Sequence, residues 1–332
     1  MPQIPPEYKN AQNVLLNDNK LTAFPQELNQ LGILQSLRID SNSITNVPSY
    51  VAHFPMLKHL RAHDNTISSL SSNIGQCKHL LSLDLQRNQL SSIPLSLAAC
   101  TGLTKLWLSE NRIEQIPYTF SHLQNLKSFR IDKNRLKEIE PGITKMKALV
   151  QYMVLAENRL QSFPMELGLM TNLTILDVRQ NRISAVPPAV GSLRNLQIFD
   201  ASQNFIQTLP TQMKQNVVLQ ELLLESNRLS VVPDVVAELQ HLKELRLSNN
   251  QILTLPDLSN SAGKLEILFL DHNNLRSLAH DLFVLTRLKI LKLNNNSLLE
   301  IPSDLFKIRG LGLSIFCINH CRTMKSYLQI IL

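Results

Sequence analysis

A repeat of 23 residues constrains the fold of this chain more than any other feature of its sequence. Neighbouring marker asparagines are 23 residues apart, except for Asn134 and Asn158, which are 24 apart. A register kept from Asn19 to Asn296 does not arise by chance and predicts stacked copies of one structural unit. The thirteen markers are Asn19, Asn42, Asn65, Asn88, Asn111, Asn134, Asn158, Asn181, Asn204, Asn227, Asn250, Asn273 and Asn296.

The copy from Leu80 to Leu103 shows what one unit contains. It reads L-x-x-L-x-L-x-x-N-x-L-x-x-I-P-x-x-L and then begins again at Leu103. Leu83 and Leu85 predict a short strand that points alternate side chains into a core. One unit cannot bury its apolar face alone, whereas a stack of units can. The pattern is that of a leucine-rich repeat. It predicts an α/β leucine-rich-repeat solenoid, a curved horseshoe with a parallel sheet on its concave face, made of thirteen 23-residue repeats and a decayed fourteenth.

Asparagine and proline have defined tasks in each copy. The asparagine amide offers both donors and an acceptor, so we expect it to turn inward and satisfy backbone groups of neighbouring turns. In ten of the thirteen copies a proline follows six residues later, as Pro94 follows Asn88. Because proline lacks an N–H and has a fixed φ, it favours an extended or short-helical return on the convex side.

The unbroken period predicts one solenoid at residues 14–309 with a cap at each end. Residues 1–13 fit a partial first turn in which Tyr8 and Ala11 cover the first core layer. Residues 310–332 fit a decayed copy, because Asn319 lies 23 residues after Asn296. We interpret this last stretch as a capping turn. Since it is apolar, a truncated chain or an interface is the alternative.

The composition of the chain indicates its cellular compartment and the class of its partners. The chain has four cysteines, and neither end has a cysteine-rich cap, so we expect a reducing, cytoplasmic location. The first residues lack the apolar stretch of a signal peptide, and no apolar run is long enough to predict a membrane span. The net charge is +7, but four cations follow Asp304, so the basic balance is weak evidence for nucleic acid.

No catalytic constellation stands out, so we predict that the chain is not an enzyme. H-E-x-x-H and G-x-S-x-G motifs are absent, and no cofactor or metal site is predicted. Asp177 and Asp200 are predicted neighbours on adjacent strands, roughly 5 Å apart. Such a pair could raise one carboxyl pKa or hold a cation, but a patch for a basic partner explains it better.

The predicted concave face carries the candidate binding site. Its side chains are basic in repeats two to six, apolar in repeats five to nine and acidic in repeats eight to eleven. An apolar centre flanked by charge of both signs suits a protein interface, and Trp107 is placed to stack with Arg130. The alternative is that these side chains of the concave face contact only solvent. The candidate partner-binding residues are Arg38, Arg61, Lys105, Trp107, Arg130, Tyr152, Val154, Ile175, Asp177, Ile198, Asp200, Glu221 and Leu223.

A second row of cations follows the marker asparagines. N-R-L and N-R-I recur as part of the repeat itself, and acidic residues lie two positions away from two members of the row. We therefore interpret the row as solvated surface. It consists of Arg112, Arg135, Arg159 and Arg182.

The form of the repeat resembles that of one group of proteins. The copies at Leu173 to Leu193 and Leu219 to Leu239 resemble those of intracellular leucine-rich-repeat proteins of the Ras group, most of all the Sur/Shoc scaffold subfamily. The irregular last copy around Phe316 and Asn319 is similar to that subfamily's ending. The resemblance implies a scaffold that binds a GTP-loaded Ras-type GTPase and a protein phosphatase catalytic subunit in its concavity.

Two functions are consistent with these observations. The first is a non-catalytic scaffold or adaptor in intracellular signal transduction, a monomer that binds protein partners through the concave sheet. The alternative is the ligand-recognition fragment of a larger leucine-rich-repeat receptor or enzyme, which the apolar C-terminal stretch favours.

Overall fold

The computed structural model describes residues 4–5, 8–139, 151–163, 165–258, 264–278, 282 and 284–300. The chain divides into two compact units, Met1–Leu160 and Gln161–Leu332, which we call unit 1 and unit 2. The predicted C-terminal cap at residues 310–332 lies outside the described residues.

Unit 1 contains a sheet of parallel three-residue strands that repeat with the sequence period. Their central residues pair in register, so that Leu60 lies between Leu37 and Leu83. Leu37, Leu60 and Leu83 are fully buried, as the L-x-L pattern predicts, whereas Val14 in the first strand is only half-buried. A smaller sheet pairs β3 (Asn46–Val47) with β5 (Ser69–Leu70). The described strands of the larger sheet follow the order β1 (Asn13–Leu15), β2 (Ser36–Arg38), β4 (His59–Arg61), β6 (Ser82–Asp84), β7 (Lys105–Trp107), β8 (Ser128–Arg130) and β9 (Tyr152–Val154).

Unit 2 repeats the same parallel arrangement. Phe199 pairs with Leu176 on one side and with Leu222 on the other, and all three are fully buried. Its described strands are β10 (Ile175–Asp177), β11 (Ile198–Asp200), β12 (Glu221–Leu223), β13 (Glu244–Arg246), β14 (Ile267–Phe269) and β15 (Ile290–Lys292).

Short 3-10 helices carry the chain back from one strand to the next. The residue before most of them is the predicted proline, with an extended backbone such as φ −66° and ψ 138° at Pro94. Where serine replaces that proline, the Ser71 hydroxyl accepts a hydrogen bond from the Asn73 N–H at 3.2 Å. The short-helical form of the return is therefore confirmed. These helices are Gln26–Gln30, Ser49–His53, Ser72–Gln76, Leu95–Ala99 and Tyr118–His122 in unit 1, and Met165–Leu169, Pro188–Ser192, Thr211–Gln215 and Asp234–Glu238 in unit 2.

The marker asparagines form a hydrogen-bonded ladder inside each unit, as the sequence predicts. Asn111 is 8% exposed, and its Nδ2 donates to the Leu85 carbonyl oxygen at 2.9 Å and the Leu108 carbonyl oxygen at 3.0 Å. Its Oδ1 accepts from the Leu90 N–H at 2.9 Å. The side chain therefore connects its own turn to the preceding one, which no apolar residue could do.

The residue before each marker asparagine adopts a left-handed backbone conformation. Its φ lies between 50° at Arg87 and 58° at Glu110, although none of these residues is glycine. The left-handed region is uncommon for other residues because of a clash at Cβ. The stacked turns therefore impose this conformation on many residue types.

Two cysteines occupy equivalent core positions in unit 1. Cys77 and Cys100 are fully buried free thiols, and each Sγ donates to a carbonyl oxygen of the preceding repeat, Val51 at 3.4 Å and Ile74 at 3.3 Å. Burial raises the pKa of Cys77 to about 12 and that of Cys100 to about 11. Both thiols are therefore packing groups and poor nucleophiles.

One expectation for the N-terminal turn is wrong. Tyr8 is 61% exposed and does not cover the first core layer. The buried apolar side chains of that region begin further along the chain, with Phe24, whose ring stacks on Phe54 with centroids 6.3 Å apart.

Candidate protein-binding surface

The first and third residues of each strand face away from the core, and we call the surface they form the outer face. In β4 the central Leu60 is buried, while His59 and Arg61 on either side are exposed. Strand pairing places residues 23 positions apart next to each other. The outer faces of units 1 and 2 therefore carry the side chains that sequence analysis assigned to a partner site.

The outer face of unit 1 begins with a basic side chain that is only loosely paired. Arg38 is half-buried, and its Nε lies 3.5 Å from Asp40 Oδ1. Neither of these two buried atoms makes a hydrogen bond, so the contact is an ion pair without hydrogen-bond geometry. The other Asp40 oxygen lies 3.7 Å from His63 Nε2. The Asp40 carboxylate is thus shared between two weak partners.

Trp107 lies at the centre of the unit 1 outer face. Its Nε1 donates to Ser128 Oγ at 3.1 Å, which fixes the orientation of the half-buried indole. The cation over the ring is Lys105, with Nζ 5.9 Å from the centroid. Among the described residues, Lys105 is the cation that contacts this ring, and the predicted stacking of Arg130 on Trp107 is not observed.

A cleft of about 480 Å³ opens on this face between β2 and β7. We call it the basic cleft, because Arg38, His59, Arg61 and Lys105 line it together with Trp107. The pKa of His59 is lowered, first by burial and then by nearby Arg61, Lys58 and Lys105. At neutral pH the imidazole therefore offers a hydrogen-bonding group and no fourth full charge.

The remaining candidates of unit 1 lie next to this cleft on β8 and β9. Arg130 is exposed on β8, and register pairs it with Val154 of β9. Tyr152 is 44% exposed and Val154 is half-buried. Strands β7 to β9 thus hold two exposed cations, Lys105 and Arg130, and three partly exposed apolar side chains close together.

Unit 2 presents an aliphatic column and an acidic one. Ile175 and Ile198 are adjacent and half-buried. Asp177 and Asp200, predicted as an exposed acidic pair, are adjacent but only 9% and 8% exposed. The Arg179 guanidinium lies 3.4 Å from Asp177 Oδ2 and 3.7 Å from Asp200 Oδ2. The two aspartates therefore share one exposed cation, keep a net negative charge and are largely withdrawn from solvent.

Acidic character persists further along unit 2. The pKa of Glu221 is raised by burial and by its strand neighbour Glu244, and the pKa of Glu225 is raised by burial. Glu244 is paired with Arg246 on its own strand. Half-buried Leu223 lies between these carboxylates, so the unit 2 face mixes negative charge with apolar surface.

One cluster of unit 2 was missed by the sequence analysis. The Phe269 ring has the Lys292 ammonium 3.9 Å and the Arg246 guanidinium 4.9 Å from its centroid. The three residues are one period apart in the sequence, so the repeat places them together. The columns alone do not show that the side chains turn toward each other.

In the residues that the structure describes, no group of three His, Cys, Asp or Glu side chains could hold a metal ion. No helix among the described residues has the length and apolar character needed to cross a bilayer. The exposed arginines Arg112 and Arg135 lie beyond the asparagine ladder of unit 1 and outside the basic cleft.

Comparisons with known proteins agree with this architecture. A leucine-rich repeat region model matches residues 146–252, and a leucine rich repeat model matches residues 78–136. The comparison with curated protein sequences gives no match. Together with the parallel sheets and the asparagine ladder, the family models show that the chain has a leucine-rich-repeat solenoid fold.

Several solved structures are similar over most of the chain. The plant peptide hormone receptor RGFR1 in complex with RGF2 has 27% identity and a TM-score of 0.81, over 93% of this chain and 52% of that one. A TDR receptor has 26% identity and a TM-score of 0.80, over 93% and 56%. An internalin, inlF, from Listeria monocytogenes has 22% identity and a TM-score of 0.81, over 92% and 87%, and shows the fold alone. The chain thus spans about half the length of the two receptor structures.

Proposed function

We propose that this chain recognises a protein or peptide partner through the outer faces of its sheets. The observation that carries the proposal is the surface of strands β7 to β9. There the partly exposed side chains of Trp107 and Tyr152 lie near the exposed cations Lys105 and Arg130. Aromatic and arginine side chains dominate the binding energy of protein interfaces, and leucine-rich-repeat domains are generally binding modules without catalysis.

The comparisons favour a ligand-recognition role within a larger protein. The RGFR1 structure is that of a peptide hormone receptor bound to RGF2, and this chain spans 52% of its length. The TDR receptor is matched over a similar share of its own length. The first candidate function is therefore the ligand-binding part of a leucine-rich-repeat receptor, and we propose that this part has no enzymatic activity of its own.

A second candidate is a cytoplasmic scaffold, as the resemblance to the Sur/Shoc subfamily implies. Free thiols at Cys77 and Cys100 support it, since free cysteines are more common in reducing compartments. The partners of this candidate would be a Ras-type GTPase and a protein phosphatase catalytic subunit, bound by a monomer. Both candidates use the same outer faces and differ in the identity of the partner.

Capture of partners with paired variants tests the proposal. The full chain, a Trp107→Ala/Tyr152→Ala variant and a Leu95→Ala/Tyr118→Ala variant would each be incubated with cell extract and with secreted proteins. Leu95 and Tyr118 are 52% and 64% exposed in unit 1 but belong to the return helices. They therefore match the loss of apolar surface without touching the outer face. Circular dichroism and thermal unfolding would confirm that all three chains fold alike.

The expected result is loss of a partner from the Trp107/Tyr152 variant only. Truncating a central aromatic contact costs about 2 kcal/mol or more, which weakens binding about 30-fold. A secreted peptide or ectodomain among the lost partners would support the receptor role. A small GTPase lost only from extract loaded with a GTP analogue would support the scaffold role. If both variants keep every partner, the outer face of unit 1 is not the binding surface.

A further inference from the structure

The basic cleft of unit 1 holds more positive charge than its neighbours neutralise. Within the part of the chain that the structure describes, Arg61 and Lys105 make no ion pair, and Arg38 makes only the loose contact with Asp40. Lys105 has the Trp107 ring as its neighbour, at 5.9 Å. Unpaired cations beside an aromatic ring are suited to an anionic group that carries apolar atoms with it.

One carboxylate does lie in the same row and must be accounted for. Asp84 sits between Arg61 and Trp107 in the strand register. It is 3% exposed, and its Oδ1 accepts from the N–H and from Nε2 of Gln86, both at 3.2 Å. Asp84 is therefore turned toward Gln86 and forms no ion pair with Arg61. The cations of the cleft remain available to a ligand.

The spacing of the cations sets the length of that ligand. Arg38 on β2 and Arg130 on β8 are four strand steps apart. At about 4.8 Å per step this is roughly 19 Å, which an extended peptide covers with about six residues. A single phosphate or carboxylate would reach only one or two of the cations. The distribution of charge thus fits several anionic groups along one chain.

An acid on the same face argues against a nucleic acid as that chain. Asp40 is only 4% exposed, but half-buried Asp132 lies two residues after Arg130, where its Oδ1 accepts from Ser109 Oγ at 2.5 Å. A nucleic acid brings a phosphate with every nucleotide and would meet the Asp132 carboxylate beside Arg130. A peptide can alternate its carboxylates with neutral residues and avoid it.

We propose that the basic cleft binds an extended acidic segment of a partner protein, about six residues long, that runs across β2 to β8. Carboxylates of the segment pair with Arg61, Lys105 and Arg130, and an apolar side chain packs on Trp107. The inference rests on the proposed function and adds the chemical class of the ligand of unit 1.

Binding of a synthetic probe to the full chain tests the inference. The probe is a fluorescein-labelled hexapeptide with three glutamates and one leucine, compared with the same peptide carrying glutamines and with a labelled single-stranded RNA hexamer. The test variant is Arg61→Gln/Lys105→Gln. The control is Arg112→Gln/Arg135→Gln, which removes the same charge from exposed arginines of unit 1 outside the cleft. Fluorescence anisotropy would give each affinity at low and at physiological salt.

The acidic peptide should bind wild type and control alike, and about tenfold more weakly to the test variant. Its affinity should fall as salt is raised, and the glutamine peptide should bind about tenfold more weakly. Equal affinities for the two peptides, no binding of the acidic peptide, or an equal loss in the control would overturn the inference. Tighter binding of the RNA, lost in the test variant, would overturn it in favour of a nucleic-acid site.

Failure of this inference can be told apart from failure of the proposed function. If the acidic peptide does not bind but the Trp107→Ala/Tyr152→Ala variant still loses a captured partner, the outer face binds proteins of another chemistry and only the inference fails. If the Arg61→Gln/Lys105→Gln variant unfolds, the single substitutions Arg61→Gln and Lys105→Gln replace it. Each should weaken binding of the acidic peptide about threefold, and an unchanged affinity in both would overturn the inference.

Discussion

Replacing Asn111 by alanine tests the asparagine ladder, which connects successive turns within each unit. The amide of Asn111 donates to three carbonyl oxygens and accepts from the Leu90 N–H. All three carbonyls have a second donor, and for the Ser109 oxygen it is the Arg87 N–H at 2.9 Å. The Leu85 oxygen also accepts from Asn88 at 3.1 Å, and the Leu108 oxygen also accepts from Asn134 at 2.9 Å. The Leu90 N–H is therefore the group that the substitution leaves without a partner.

The magnitude follows from these contacts. A buried N–H without an acceptor costs about 1–3 kcal/mol, and the lost donor bonds add a smaller amount because their acceptors keep other partners. We expect Asn111→Ala to lower the free energy of unfolding by about 2–4 kcal/mol. Asn125 is a matched control, since its Nδ2 donates to the Thr101 carbonyl oxygen at 2.9 Å on the exposed surface. Asn125→Ala should change the free energy by about 0.5 kcal/mol or less.

Replacing Asn111 by aspartate keeps the acceptor oxygen of the side chain but removes its N–H donors. Its carboxylate can still accept from the Leu90 N–H, but its second oxygen faces the Leu85 and Leu108 carbonyl oxygens. The folded state then favours the protonated carboxyl, which raises the pKa above the unfolded value of about 3.9. Asn111→Asp should be destabilised at neutral pH, and its deficit relative to wild type should shrink as the pH falls through the folded pKa.

Urea unfolding followed by circular dichroism would measure these changes, and hydrogen exchange would report the Leu90 amide directly. A repeat protein need not unfold in one step, so the exchange rate localises the effect. The reasoning is refuted if Asn111→Ala is as stable as Asn125→Ala. It is also refuted if the deficit of Asn111→Asp is the same at pH 4 and pH 7.

Three further predictions concern the same framework. Gly191→Ala should destabilise unit 2 by about 1–3 kcal/mol in urea unfolding, because the new Cβ collides with the Gln212 carbonyl oxygen of the next return helix. Gly102→Ala is the control and should be tolerated, because its new Cβ lies 3.6 Å from its nearest neighbours. Gln203→Gly should raise the free energy of unfolding by about 0.5–1 kcal/mol, since Gln203 has the left-handed φ of 54°. The control Gln207→Gly, at a residue with an ordinary φ, should lower it. Equal effects of the two substitutions would contradict the view that the left-handed conformation strains Gln203. Glu225→Gln should raise the melting temperature at pH 7, because burial raises the pKa of the Glu225 carboxyl and penalises its charged form. The wild-type chain recovers this stability as the pH falls through the raised pKa. A gain in melting temperature that is as large at pH 4 as at pH 7 would contradict the assignment.

The sequence predicts the framework well because one period determines most backbone contacts. The asparagines require donors and acceptors in neighbouring turns, and the structure places Asn111 as expected. The prolines predict where the return begins, and the extended backbone at Pro94 confirms it. The left-handed residues were not anticipated, because Arg87 and Glu110 have no intrinsic preference for that conformation and the stacked turns impose it.

The binding surface is predicted less completely, because a column of residues does not specify side-chain conformations. The sequence places Trp107, Arg130 and Lys105 on one face, and the structure shows that Lys105 covers the ring. It also places Asp177 and Asp200 side by side, but the Arg179 bridge that withdraws them depends on rotamers. The sequence alone therefore does not predict which long charged side chains pair with each other on this surface.

The fluorescence of Trp107 tests the central claim most directly. The chain contains a single tryptophan, and it lies in the outer face of unit 1 beside the basic cleft. Saturation with a captured partner, verified by calorimetry, should shift the emission of Trp107 to shorter wavelength and protect the indole from iodide quenching. The Arg61→Gln/Lys105→Gln variant should need a higher concentration of partner for the same change. If calorimetry shows binding while the emission and quenching of Trp107 stay unchanged, the partner binds elsewhere and the outer face of unit 1 is not its site.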